Sequence, residues 1–294
     1  MSEAGDPFRL ERSRVRASFE RASASYESAA SLQGRVSAEL LGRLDTFRFT
    51  PRVVLDLGAG TGRVSRELAQ RYPRARVMAL DLAPGMLREA RRHQSLWRRF
   101  SRVCGDALRL PLKDACVDLV FSSLMLQWCE PLDAALAEVR RVLKPGGFFA
   151  FSTLGVGTLM ELREAWAQAD GYNHVNHFPD VQEIGDAAVR AGLAEPVLDV
   201  DRIRTQHPDV LTLMRELKAI GAHNVTRGRA RALTGRTRLA SMQAAYERQR
   251  RDGRLPATWE VVYGASWGRE DRGTVGALDG VARISPDSIG RRRP

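Results

Sequence analysis

Apolar residues recur in two rhythms along this chain. Over residues 8–44 they return every three or four positions, as in "SLQGRVSAELLGRL", which predicts helix. From Val53 the rhythm becomes short unbroken runs. "VVLDL" reads as a buried strand that glycines end in a tight turn. "RVSRELAQRY", with Val64 and Leu68 four apart, predicts a helix that stops before Pro73. "ARVMALD" predicts a second strand. "APGMLREARRH" predicts a second helix with Pro84 in its first turn. "SRVCGDA" is a weaker third strand and "CVDLVFSS" a fourth. "LDAALAEVRRVL" is helical, is stopped by "KPGG", and leads into a fifth strand, "FFAFST". Strands and helices alternating at this spacing predict parallel βαβ units and a doubly wound α/β sheet.

The rhythm changes after Thr153. "GVGTLMELREAWAQAD" predicts a helix with Thr158 as N-cap and Glu161, three residues on, completing a capping box. An irregular stretch, "GYNHVNHFPD", follows. Then come a helix in "VQEIGDAAVRAGL", a strand in "PVLDVDRIRT", helical stretches at 209–220 and 234–251, and a last strand in "ATWEVVYGASW". Residues 269–294 are rich in Gly, Arg and Ser with little to bury, which predicts a disordered tail. No internal repeat is found.

With 294 residues, 44 % of them apolar, the chain can bury a sizeable core. Its apolar stretches are far shorter than the ~20 residues of a membrane span. "MSEAGDPF" is polar and acidic and no apolar run follows it, so no signal peptide is expected. Residues 9–30 have the Arg and Ser of a transit peptide, but Glu11, Glu20 and Glu27 argue against one. Cys104, Cys116 and Cys129 lack CxxC spacing, which fits a reducing compartment, here the cytoplasm, and no metal site. The formal charge of +11 is carried by scattered arginines, with Lys113, Lys144 and Lys218 the only lysines. It is read either as a solvated basic surface or as a surface for an acidic partner, protein or nucleic acid.

The chemistry concentrates in "DLGAGTG", Asp56 to Gly62. A strand delivers Asp56 to the carboxyl edge of the sheet, where Gly58, Gly60 and Gly62 let backbone approach a ligand. The spacing differs from the GxGxxG dinucleotide fingerprint, which disfavours a pyrophosphate on the helix N-terminus. Asp81 ends the second strand, where a carboxylate can accept both ribose hydroxyls. Asp106 ends the third. Each acid alone is an ordinary turn or cap residue. Together with the glycines, the three favour a nucleoside without phosphates.

The ordered set "VLDLGAGTGRVSRELA", "ALDLAPGMLREAR", "GDALRLPLKDACVDLVFSS" and "RVLKPGGFFAFST" resembles the S-adenosylmethionine-dependent methyltransferases of the seven-stranded, Rossmann-like class I, over about residues 52–153. The resemblance implies that Gly58 and Gly60 approach the methionine part, in a turn that also holds Asp56, Ala59, Thr61 and Gly62. It implies that Asp81 holds the ribose, Leu82 and Met86 flank the adenine, Asp106 with Ala107 meets its edge, and Ser122 and Ser123 face the methyl group. Ser122-Ser123-Leu124-Met125 stands where enzymes acting on base amines carry an (Asn/Asp)-Pro-Pro-aromatic turn, so a base amine is a poor acceptor candidate.

Further segments, "FERASASYESAASLQGRV", "SSLMLQWC", "FSTLGVGTLMELREAW", "HVNHFPD", "LKAIGAHNVTRGR" and "WEVVYGASW", extend the likeness. From about Phe19 to Trp267 the chain is similar to the malonyl-[acyl-carrier-protein] O-methyltransferases of biotin synthesis. Ala265 stands where that family often has His, and Ala59 where Cys is common. The resemblance implies a single methyltransferase domain over 1–268. Its core would be 45–153, its helical lid 8–44 and 154–180, inserted after strand five, and its C-terminal helices and last strand 181–268. It implies esterification of the free carboxylate of a malonyl thioester, with S-adenosylmethionine as cofactor and an acidic acyl carrier protein as partner, met by Arg-rich helices in 202–251. A carboxylate ionised at neutral pH is already a nucleophile, so no general base is expected. Gln127 and Trp128, just past the fourth strand, are candidates to bind the acceptor and exclude water, and Tyr26 to close over the cofactor. Arg163, His174 and Asn176 are candidates to clamp the carboxylate. Two rivals stay open on sequence: an assembly or protein-modifying factor of respiratory complexes, and another small-molecule or RNA methyltransferase.

Overall fold

The computed structural model describes residues 9–94, 99–222, 224–226 and 235–269, so the expected tail lies outside the described residues apart from Arg269. Seven strands, β1 (Val53–Leu57), β2 (Arg76–Asp81), β3 (Ser101–Cys104), β4 (Val117–Ser123), β5 (Leu143–Leu154), β6 (Leu193–His207) and β7 (Leu255–Gly268), form one sheet in the order β3-β2-β1-β4-β5-β7-β6. The first five run parallel, and β7 lies antiparallel between β5 and β6. The winding direction reverses beside β1, and such a reversal opens a crevice at the carboxyl ends of the strands.

The helices are α1 (Arg12–Ala22), α2 (Tyr26–Ala29), α3 (Ser31–Arg43), α4 (Arg63–Arg71), α5 (Pro84–Ala90), α6 (Leu132–Val142), α7 (Met160–Ala167), α8 (Val181–Arg190), α9 (Val210–Ala219) and α10 (Arg236–Glu247). Both faces of the sheet are covered. Val54, Phe121, Phe148, Ala150 and Val261 enter one core with residues of α3, α4, α7 and α10. Their chain neighbours Leu55, Val120, Phe149, Phe151 and Val262 enter the other with residues of α6 and α8. Alternate side chains of a strand point to opposite faces, so burial of both explains the unbroken apolar runs.

The capping box expected at Thr158 is absent. Leu159 takes the N-cap of α7 with φ 52°. The Thr158 hydroxyl donates to the Glu260 carbonyl at 3.1 Å, and the Glu161 carboxylate accepts the Thr258 N–H at 3.0 Å. Backbone groups of β7 thus outcompete the local cap, and they seat α7 against the sheet. A capping box does form one helix later, where Asp180 accepts from Glu183 N and Glu183 accepts from Asp180 N.

Candidate active site

Past Leu57 the chain turns at once. Gly58 has φ 79°, and a Cβ there would lie 2.2 Å from Met125 Cγ, so conformation and space both require glycine. The N–H groups of Gly58 and Ala59 donate to the Leu80 carbonyl at 2.8 and 2.9 Å. Asp81 secures the turn further: its Oδ2 accepts the Gly60 N–H at 2.9 Å and its Oδ1 the Ala83 N–H at 2.8 Å. Burial pushes the Asp81 carboxyl above the ordinary range, against these N–H groups, which favour the ionised form.

Two cavities open at this edge. The first, about 90 Å³, is lined by Gly58, Gly60, Asp81, Leu82, Met86, Asp106, Ala107 and Ser123, and by Arg12, Val15, Arg16 and Phe19 of α1. The Arg12 guanidinium reaches the Asp106 carboxylate, which narrows this slot. The Leu108 N–H donates to Asp106 Oδ1 at 2.9 Å. The second cavity, about 250 Å³, is lined by Gln127, His174 and Asn176 among apolar walls from α7, α9 and β7, and so has the room for an acyl arm. Phe19, Tyr26, Leu124 and Trp128 line both cavities, which therefore meet at a largely aromatic throat. Phe19 meets Trp128 edge-on, with ring centroids 5.2 Å apart. Burial, with the charges of Asp81 and Glu27, raises the Tyr26 phenol well above its ordinary range, so its O–H is kept. Burial likewise pushes the Cys129 thiol, beside the first cavity, up to about 12.

Not every expected residue arrives here. Ser122 is fully buried and donates to the Leu57 carbonyl at 3.0 Å; the two-residue period puts Ser123, not Ser122, on the cavity. Gly62 lines neither cavity and caps α4, where a Cβ would lie 2.7 Å from that of Ala90. Asp56, Ala59 and Thr61 border an adjoining hollow against α3, which shares Tyr26, Gly58, Gly60 and Ser123 with the first cavity. Asp56 accepts from the Ser65 hydroxyl, and burial lifts its carboxyl to about 7. Thr61 donates to Glu27. Arg163 turns back on its own segment, donating to the carbonyls of Val156 at 3.0 Å and Thr158 at 3.2 Å, and lines neither cavity. Burial lowers its pKa. Ala265 borders a hollow with Leu40, Phe148 and Trp267, apart from both cavities.

Sequence reasoning does not single out Phe19 or Leu124. Val15, Phe19 and Ala22 share one face of α1, which is a signal for Phe19; Leu124, with φ 49°, has none.

The slot presents the Asp81 carboxylate, apolar side chains at Leu82, Met86 and Leu108, and aromatic rings at its throat. A family model described as a methyltransferase domain matches residues 55–151. A chain from the complex between the Haloferax volcanii Trm112 methyltransferase activator and a methyltransferase aligns with a TM-score of 0.57 at 21 % identity, covering 87 % of this chain and 98 % of that one, a likeness of fold. The malonyl-[acyl-carrier protein] O-methyltransferase of Laribacter hongkongensis is 52 % identical over 270 residues, 89 % of this chain and 91 % of its own length. The protein of the same name from Methylovorus sp. is 47 % identical over 285 residues, 95 % of this chain and 96 % of its own. On these matches the chain belongs to the malonyl-[acyl-carrier protein] O-methyltransferase family.

Proposed function

We propose that this protein transfers a methyl group from S-adenosylmethionine to the free carboxylate of a malonyl thioester on an acyl carrier protein, acting in the cytoplasm. The observation that carries this reading is the throat: a slot of the size and chemistry for a nucleoside opens through Phe19, Tyr26 and Trp128 into a roomier cavity lined by amides, His174 and apolar side chains. Among the described residues that cavity is lined by no Asp, Glu, Lys or Arg. A malonyl carboxylate, with an ordinary pKa of roughly 4, arrives ionised.

When bound, S-adenosylmethionine supplies a methyl group on a positively charged sulfur. The protein's residues hold and dry the reactants. Gln127 is fixed by its Nε2 donating to the Leu124 carbonyl at 2.7 Å and its Oε1 accepting from Thr153 at 3.3 Å, which leaves one N–H for the acceptor. Trp128 and Tyr26 wall the junction from water, and a dry junction strengthens the attraction of carboxylate for sulfonium. The rate gain comes from alignment rather than acid–base work. The basic surface steers in an acidic carrier, so association is salt-sensitive. Among the described residues no helix is long and apolar enough to cross a membrane. By the family resemblance, the methyl ester hides the charge that would stop chain extension toward the pimeloyl unit of biotin.

The test offers the purified protein labelled S-adenosylmethionine with malonyl-carrier, malonyl-coenzyme A, bulk RNA or cell protein in turn. Label is expected on the malonyl thioesters, as a base-labile methyl ester. Label on RNA alone, or on none of the four, removes the reading.

A further inference from the structure

A carboxylate entering the acceptor cavity meets little charge. Of the residues lining it, only Tyr26 and His174 are ionisable, and the Tyr26 phenol keeps its proton. Among the described residues, His174 is therefore the one group on this wall able to become a cation.

The surroundings of His174 hold it firmly. Its ring lies flat on Trp166, with centroids 3.7 Å apart and planes 9° apart. Its Nε2 is 2.8 Å from Asp170 Oδ1, which also accepts the Tyr172 N–H at 3.0 Å. Burial works against ionisation of Asp170, but the Tyr172 N–H, His174 and Arg238 outweigh it and hold its carboxyl below the ordinary range. Arg238 of α10 stands 3.9 Å from Asp170 Oδ2 and also lies over the Tyr172 ring. An ionised Asp170 fixes the proton on Nε2, leaving Nδ1 as the ring's remaining polar atom. On the same wall Asn176, 6 % exposed, accepts the Val225 N–H through Oδ1, which leaves its amide N–H groups to donate.

We propose that His174, oriented by Asp170 and Trp166, clamps the acceptor carboxylate as an imidazolium. The proposal rests on the carboxyl-transfer reading above. A neutral ring presents a lone pair at Nδ1 and repels the anion; a protonated ring presents an N–H and binds it. When a carboxylate oxygen bonds the methyl carbon, the carbon–sulfur bond breaks with its electron pair left on sulfur. The ester carries no charge and the clamp loses its hold. Asp170 is a positioning residue.

Initial rates at saturating S-adenosylmethionine, with malonyl-coenzyme A or malonyl-carrier varied, test this. His174→Gln should raise the acceptor KM about tenfold or more and leave the cofactor Kd and kcat within about threefold. Asp170→Asn should raise KM severalfold, with Asp170→Glu restoring part of it. A His174→Gln enzyme with wild-type KM overturns the clamp. If His174→Gln does not fold, the Asp170→Asn and Asp170→Glu pair decides: wild-type KM in both overturns it. A wild-type enzyme that methylates no malonyl thioester overturns the carboxyl-transfer reading itself, an outcome distinct from transfer with unaltered KM in the variant.

Discussion

Replacing Asp81 with Asn separates holding the glycine turn from holding the cofactor. In the wild type each carboxylate oxygen accepts one backbone N–H, from Gly60 at 2.9 Å and Ala83 at 2.8 Å. An amide can accept only one of these, and its NH2 faces the other donor. One hydrogen bond to a charged group is lost, about 1.5–3 kcal/mol. Against that, burial already disfavours the Asp81 charge, so a neutral side chain recovers part of the loss. The net cost to the fold should be about 1–2 kcal/mol, readable as a lower urea midpoint with a folded baseline intact. Binding has no such offset. Ribose hydroxyls lose an ionised acceptor, and at about 1.5–3 kcal/mol per charge-assisted bond the cofactor Kd should rise between about tenfold and a few hundredfold. Calorimetric titration with S-adenosylmethionine measures this on the same sample as the urea curve. A Kd within about twofold of wild type in a folded variant would refute the ribose role and, with it, the fit of the slot to a nucleoside.

Three further outcomes are expected. Gly58→Ala should cost about 2–4 kcal/mol, summing left-handed strain and the collision with Met125, and an unchanged urea midpoint would show that the turn tolerates a side chain. Arg163→Ala should leave the acceptor KM within about twofold, because the guanidinium serves the carbonyls of Val156 and Thr158; a tenfold rise, worth about 1.4 kcal/mol, would return Arg163 to the acceptor. Burial raises folded Asp56 to about 7, above its unfolded value of roughly 4, so its contribution is complete below the unfolded value and is lost as pH rises through about 7. Asp56→Asn should therefore gain on wild type by roughly 2–4 kcal/mol between about pH 5 and about pH 8, and an equal difference at both ends would contradict the buried neutral acid.

Strands β1, β4 and β5 are legible because both faces of the sheet are buried there, which writes each one as an apolar run. The same burial hides the alternation of faces. Nothing local separates Ser122 from its neighbour Ser123, yet one donates into the core and the other lines the slot. Acids near strand ends are legible for a related reason: parallel pairing fixes where a strand stops, so Asp81 at the end of β2 and Asp106, two residues past β3 rather than at its end, reach the crevice. Residues of the segment after β5 have no such constraint. Thr158 and Glu161 have the spacing of a cap but bond to β7, about a hundred residues on, and Arg163 spends its donors on the backbone of its own segment. There a polar side chain's role depends on which tertiary partner it finds. Asp170, absent from any motif, binds His174 Nε2 and so leaves Nδ1 as the ring atom for the proposed clamp. The half of the site built on strand ends was therefore readable as positions. The proposed acceptor half was readable only as residue types, of which folding sets Gln127, Trp128, His174 and Asn176 around one cavity and turns Arg163 away.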